Sequence, residues 1–141
     1  MYFKSFYATD KDGIKRKFQY QIFNNTQYHC GEDKDCLLVR ISDKVEEQLD
    51  FFEIVLLKRI NYLKIDSINH YFLDRYMSKG IPEAIILEIK RSENIQIRSS
   101  SNKFKDCEEE KREEAATAYW KRLRLEGKAD YNEIEDYFFT L

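Results

Sequence analysis

The residues with the types and spacing for chemistry fall into three groups. The first is Lys79-Gly80-Ile81-Pro82-Glu83, which holds the only proline of the chain. A helix opening here points its first backbone N–H groups outward, where, with the helix dipole, they can hold a phosphate or carboxylate. Pro82 has no N–H, so one donor of such a site is missing, and Lys79 offers a point charge in partial compensation. The same residues also serve as plain punctuation that ends one segment and starts a helix. The second group is His70 with Asn69, Tyr71 and Asp74, just ahead of that glycine turn. A histidine or carboxylate beside a reacting amine is the usual general base. The third is His29-Cys30, Cys36 and Cys107. Their separations miss the two-to-four-residue ligand spacing of structural zinc, so no metal site is expected. A Cys30–Cys36 disulfide across a hairpin loop would need an oxidising compartment.

Composition narrows the class. The chain has 141 residues, the size of one domain, with 43% apolar and 15% aromatic residues, including ten Phe and ten Tyr. That supports a core packed around rings, with tyrosine hydroxyls at its margin. The balance of 24 basic and 26 acidic residues leaves a net charge of −2. A charge so near neutral offers no bulk attraction to nucleic acid or anionic lipid. Lys11, Lys15, Arg16 and Lys17 read as the protected edge of a strand. No stretch reaches the roughly 18 apolar residues of a membrane span, and Met1-Tyr2-Phe3-Lys4-Ser5 does not resemble a secretory signal. A cytoplasmic protein with free thiols is the expectation. Neither a Ser-His-Asp order nor a phosphate-loop or metal-binding helix motif occurs.

The elements that must position these groups follow from periodicity. Segments 2–8 and 14–23 are rich in strand formers and flank an Asp12-Gly13 hairpin signal; 36–41 is a third, buried strand. Together they predict an antiparallel meander over 1–42. Asp43 and Glu46 have capping-box spacing, and Val45, Leu49, Phe52, Leu56, Ile60 and Leu63 recur at three- and four-residue steps. That pattern predicts a helix over 44–61 within a helical region 43–79. The stretch 62–69 fits strand or helix. After Gly80 come a buried helix through Arg91, a strand over 95–98 and a polar loop, Ser99-Ser100-Ser101-Asn102. Next are a helix with Ala116, Tyr119, Trp120 and Leu123 on its apolar stripe, a stop at Gly127, and closing strands over 128–131 and 137–141. A closing strand Tyr137-Phe138-Phe139 left at a sheet edge would invite homodimer pairing.

Around Lys79-Gly80-Ile81-Pro82-Glu83-Ala84 and Ala116-x-x-x-Trp120-x-x-Leu123, with Gly127 and Tyr131, the chain resembles the GNAT superfamily of acyltransferases over about residues 60–141. The resemblance implies one α/β (α+β) domain over 1–141, with a mostly antiparallel central sheet, helices on both faces and an acyl-CoA-binding half over 80–141. It implies acetyl-CoA as cofactor, with Lys79, Gly80 and Ile81 at its pyrophosphate, and acyl transfer to an amine acceptor. Family members often protonate the departing thiolate with a tyrosine; here Trp120 stands at that place and Tyr119 lies next to it, about 100° round the helix. Asp66, His70 or Asp74 would lie near the acyl end as base, with Tyr119 and His70 as the catalytic candidates. Met77 and Pro82 depart from the cofactor-loop pattern, and with Trp120 they favour the alternative: a binding module with a protein partner that keeps the fold without the chemistry.

Overall fold

The structure, a computed structural model, describes residues 3–43, 52–69, 76–105, 107 and 112–141. Its frame is one eight-stranded sheet in the order β1-β2-β3-β4-β5-β6-β8-β7. The strands are β1 (Lys4–Thr9), β2 (Lys15–His29), β3 (Glu32–Ser42), β4 (Phe52–Lys58), β5 (Tyr62–Asn69), β6 (Gln96–Arg98), β7 (Ala129–Asn132) and β8 (Tyr137–Thr140). Helix α1 (Ile81–Glu93) crosses from β5 to β6, and α2 (Glu114–Leu125) from β6 to β7.

The expected meander is present and longer than its sequence signal. Asp10 Oδ1 accepts hydrogen bonds from the N–H groups of Asp12 and Ile14, and Gly13 takes φ 82°, so β1 turns tightly into β2. β2 and β3 pair from Gln19–Ser42 out to His29–Glu32, closed by a two-residue turn of Cys30 (φ 50°) and Gly31 (φ 89°). Left-handed backbone at both turn positions matches the twist of a hairpin.

The helix expected over 44–61 is not formed where it is described. Phe52–Lys58 is the strand β4, between β3 and β5; residues 44–51 lie outside the described set. The reason is burial on two faces. Phe52, Ile54 and Leu56 enter the main core, whereas Val55 and Leu57 join Cys36 and Leu38 on the other side of the sheet. A central strand needs apolar residues at consecutive positions, and such a run contains the three- and four-residue steps of a helix by coincidence. The ambiguous stretch 62–69 is strand for the same reason: β4 supplies its ladder partner.

The helix-flanked α/β architecture of the resemblance is therefore overturned. Strands take 48% and helices 21% of the described residues, and the sheet is curled. Both helices join one cluster with the inward residues of the sheet: Ile81, Ile85, Ile86 and Ile89 from α1, and Tyr119, Trp120 and Leu123 from α2. Among the described residues the opposite face carries only the small cluster around Cys36. Nor is β8 an edge: β6 and β7 flank it, so Tyr137-Phe138-Phe139 is not the free strand that the homodimer expectation required. Among the described residues no helix is long and apolar enough to cross a membrane.

Candidate functional site

Among the described residues one strand pairing is parallel, and a site opens beside it. β5 and β6 pair over three positions only, Tyr62–Gln96, Leu63–Ile97 and Lys64–Arg98. Beyond Arg98 the chain turns to β8: Ser99 N–H donates to Phe138 O, and Phe138 N–H donates to Ser99 Oγ. β5 meanwhile continues to Asn69 along β4. The two strands thus part at their C-terminal ends, where open sheets with parallel strands collect ligands.

A β-bulge sits at the same place. Leu56 pairs with Ile65 and Val55 with Ser67, so β5 carries one extra residue, Asp66, against β4. The bulge shifts the side-chain alternation, and Ile68 packs on the same core as Leu63 and Ile65. Bulges of this kind re-aim backbone and side chains and are common beside active sites.

The parted strands, α1 and α2 enclose a cavity of about 450 Å³, within the range of small-molecule sites. Ile65 to Ile68 of β5 form one wall, Ser99 and Ser100 another, and Pro82, Ala116, Tyr119 and Trp120 come from the helices. Among the described residues neither helix has a side-chain cap, and both N-terminal turns border this space, through Pro82 in α1 and Ala115 and Ala116 in α2. Pro82 has no N–H to offer, so only the first turn of α2 could present backbone donors to a ligand's acceptor oxygens.

Two side chains in the cavity wall have distinctive chemistry. Trp120 is fully buried, stacked on Phe138 at 6.0 Å between ring centroids, and its indole Nε1 has no hydrogen-bond partner among the described residues. A buried N–H left unpaired costs about 1–3 kcal/mol. Tyr119 is 5% exposed, and burial, reinforced by the Glu83 charge, pushes its phenol well above the usual range. It stays protonated at neutral pH, so its hydroxyl can donate as well as accept.

Arg112 makes the wall rigid. Its Nε–H donates to Thr117 Oγ1 at 2.8 Å, its Nη1 to Ser100 O at 3.0 Å and Asp136 O at 3.2 Å, and its Nη2 to Asp136 Oδ1 at 3.0 Å. One guanidinium thus ties the exit of β6, the entry of α2 and the turn before β8. Burial alone would raise the Asp136 carboxyl, but the Tyr131 hydroxyl, Arg112 and the Asn102 N–H together hold it below its ordinary value. On the far side of the bulge, Asp66 Oδ1 lies 3.1 Å from Nδ1 of the buried His29. A carboxylate at Nδ1 fixes the imidazole's tautomer and orientation.

The residues expected from the sequence are distributed unevenly around this cavity. Tyr119, Asp66, Pro82 and Trp120 line it. His70 and Asp74 lie outside the described residues. Gly80, the N-cap of α1 with φ 77°, faces a second groove against β1, where a Cβ would overlap the Thr9 carbonyl. That groove also holds Glu83, Glu88 and Glu126, a carboxylate-rich setting. Ile81 is fully buried and Lys79 is partly exposed. Arg112, Asp136, Ser99 and Ser100 were not singled out from the sequence, although the serine run after a strand was a visible signal.

The thiols also differ from expectation. Cys30 and Cys107 are joined in a disulfide with Cα atoms 5.6 Å apart, linking the β2–β3 turn to the segment between β6 and α2. Cys36 is the remaining thiol, and burial raises its pKa, with the Asp66 charge adding to the effect. A buried, protonated thiol is a packing residue. Compared with known proteins, the chain matches no family model, no curated protein and no solved structure.

Proposed function

We propose that the protein binds an acyl-CoA thioester in the cavity between β5 and β6 and transfers the acyl group to an amine. One observation carries the reading: a cavity of about 450 Å³, at the divergence of two parallel strands, is lined by Trp120 and by Tyr119, whose phenol is held protonated. The resemblance at Ala116–Tyr131 points the same way, since Ala116, Tyr119 and Trp120 line the cavity, whereas of Lys79–Ala84 only Pro82 does and Gly80, Glu83 and Ala84 line the other groove. The pantetheine arm, with its two amides, suits a wall made by the edge of β5 beyond Lys64, where β6 no longer pairs with it.

In this reading the amine nitrogen attacks the thioester carbon and passes one proton to Asp66, whose other neighbour is His29. The tetrahedral intermediate collapses with cleavage of the C–S bond. Tyr119 donates its proton to the departing thiolate and regains one from solvent. Asp66 returns its proton to solvent, amide and free CoA are the products, and the proton count closes.

The test is a thermal shift with acetyl-CoA, followed by detection of free CoA thiol in the presence of an amine. Saturation at a hundredfold excess over Kd stabilises by about 2.7 kcal/mol. For 141 residues that raises Tm by about 9 °C. No shift at millimolar acetyl-CoA removes the reading. A shift without CoA release at any amine selects the second reading, binding without turnover, which Met77 and Pro82 in the expected cofactor loop favour. As to compartment, a reducing cytoplasm would hold Cys30 and Cys107 as thiols, and their pairing favours an oxidising one.

A further inference from the structure

We infer that the tip of the β2–β3 hairpin is a redox-fastened strap: the Cys30–Cys107 disulfide holds it against Asp66 in the cavity wall, and reduction by a dithiol releases it. This goes beyond the acyl-CoA reading and does not depend on which ligand the cavity takes.

The hairpin outruns the sheet that supports it. β1 pairs with β2 over Lys15–Tyr20, and β4 pairs with β3 over Cys36–Ile41. From Thr26–Asp35 to His29–Glu32 the two strands pair with each other, and among the described residues no third strand lies beside them. A two-stranded ribbon is marginally stable at best in water, so tertiary attachments must fix where this one lies. Its burial shows where they act. The ribbon is mostly exposed, with Tyr28 at 71%, yet His29 is 4% exposed. That imidazole meets Asp66 through Nδ1 at 3.1 Å, at the bulge of β5. The next residue, Cys30, is bonded to Cys107. Both anchors belong to the cavity wall or its flank: Asp66 lines it, and Cys107 lies in the chain between the wall residues Ser100 and Arg112.

Cys30 and Cys107 are both partly exposed and open to thiol exchange, whereas Cys36 is buried and takes no part. One thiolate of the dithiol attacks a Sγ and breaks the S–S bond, and its second thiol resolves the mixed disulfide. The protein gains two electrons and two protons as a pair of thiols, and the reductant leaves as its own disulfide. With the covalent link cut, noncovalent contacts alone must hold a marginal ribbon in place. The tip then opens more often and uncovers Asp66.

The test compares the full chain, oxidised and after treatment with dithiothreitol, by hydrogen exchange at about pH 7. The labelling time is one that leaves Gln19–Phe23 and Val39–Ile41 protected in both forms. Amides of residues 26–35 then exchange roughly tenfold faster after reduction. Carbodiimide labelling of the Asp66 carboxyl rises in parallel, and reoxidation reverses both changes. Cys107→Ser gives the reduced pattern without reductant. Unchanged exchange at the tip, or unchanged labelling of Asp66, overturns the strap. Loss of protection in core and tip together also overturns it, since the bond is then a staple of the whole fold. Alkylation of Cys30 and Cys107 in the air-oxidised protein overturns it at the outset. The wild-type comparison decides the matter even if Cys107→Ser does not fold.

Discussion

Asp136→Asn tests how the cavity wall is held. Asp136 sits in left-handed backbone at φ 54°, a conformation asparagine tolerates, so the substitution removes charge without disturbing the turn. In the wild type its carboxylate accepts from Arg112 Nη2 at 3.0 Å and from Asn102 N–H at 2.9 Å, with the Tyr131 hydroxyl as a third donor. The side chains of Arg112 and Asp136 are only 7% and 9% exposed. Removing one charge of such a pair strands the other, at a cost of about 3–5 kcal/mol. Asparagine keeps one acceptor oxygen, which places the expected loss near about 3 kcal/mol. With an unfolding entropy of about 0.3 kcal/mol/K for 141 residues, Tm falls by about 10 °C at pH 7.

The pH dependence sharpens the test. The folded-state pKa of Asp136 is depressed below its unfolded value, so its contribution is present above the unfolded pKa. It is lost as pH falls through the folded value. Wild-type stability therefore declines on acidification below about pH 4, and Asp136→Asn flattens that decline. Calorimetry or urea titration from pH 7 to pH 3 reads both quantities. A variant within about 0.5 kcal/mol of wild type at pH 7, with an unchanged acid limb, would refute the argument that a buried ion pair fastens this wall.

Other perturbations follow from the same geometry. Gly80→Ala meets the Thr9 carbonyl in left-handed backbone and loses about 2 kcal/mol or more; normal stability would show that β1 does not press on α1 as described. Cys30→Ser opens a disulfide spanning 77 residues, for which loop entropy gives about 4.5 kcal/mol, seen as a lower Tm; an unchanged melt would mean the bond constrains little. Tyr20→Phe removes a 2.6 Å hydrogen bond to Glu88 and costs about 1.5–3 kcal/mol. Burial, then the Glu88 bond, pushes the Tyr20 phenol up to about 12, so the stability it contributes is complete below pH 10 and fades as pH rises through that value. Absence of any difference between Tyr20→Phe and wild type in the alkaline limb would count against that bond.

The parts of the molecule legible in the sequence are those specified by local chemistry. Asp12-Gly13 calls for a tight turn, Phe18, Tyr20 and Ile22 alternate as β2 requires, and Pro82 stands where a helix can begin. The apolar stripe of α2 names Tyr119, Trp120 and Leu123 as its buried face, and they are buried. Even the polar run Ser99 to Asn102 marks the point where the chain leaves β6.

Tertiary structure decided the rest, because the forces concerned act between residues far apart in the chain. Phe52 to Leu57 is strand rather than helix because β3 and β5 supply hydrogen bonds on both sides, and apolar contacts are available on both faces. Cys30 finds Cys107 and not Cys36 because the turn at Cys30-Gly31 and the segment before α2 meet in space. The cavity itself exists because Ser99 bonds to Phe138 and draws the chain from β5, a choice written at two positions 39 residues apart. The sequence by itself determined that a helix opens at Pro82 and which face of the last helix is apolar. Only the assembled sheet determined which apolar face meets which, and hence that Pro82, Tyr119 and Trp120 of the two helices line one cavity with β5.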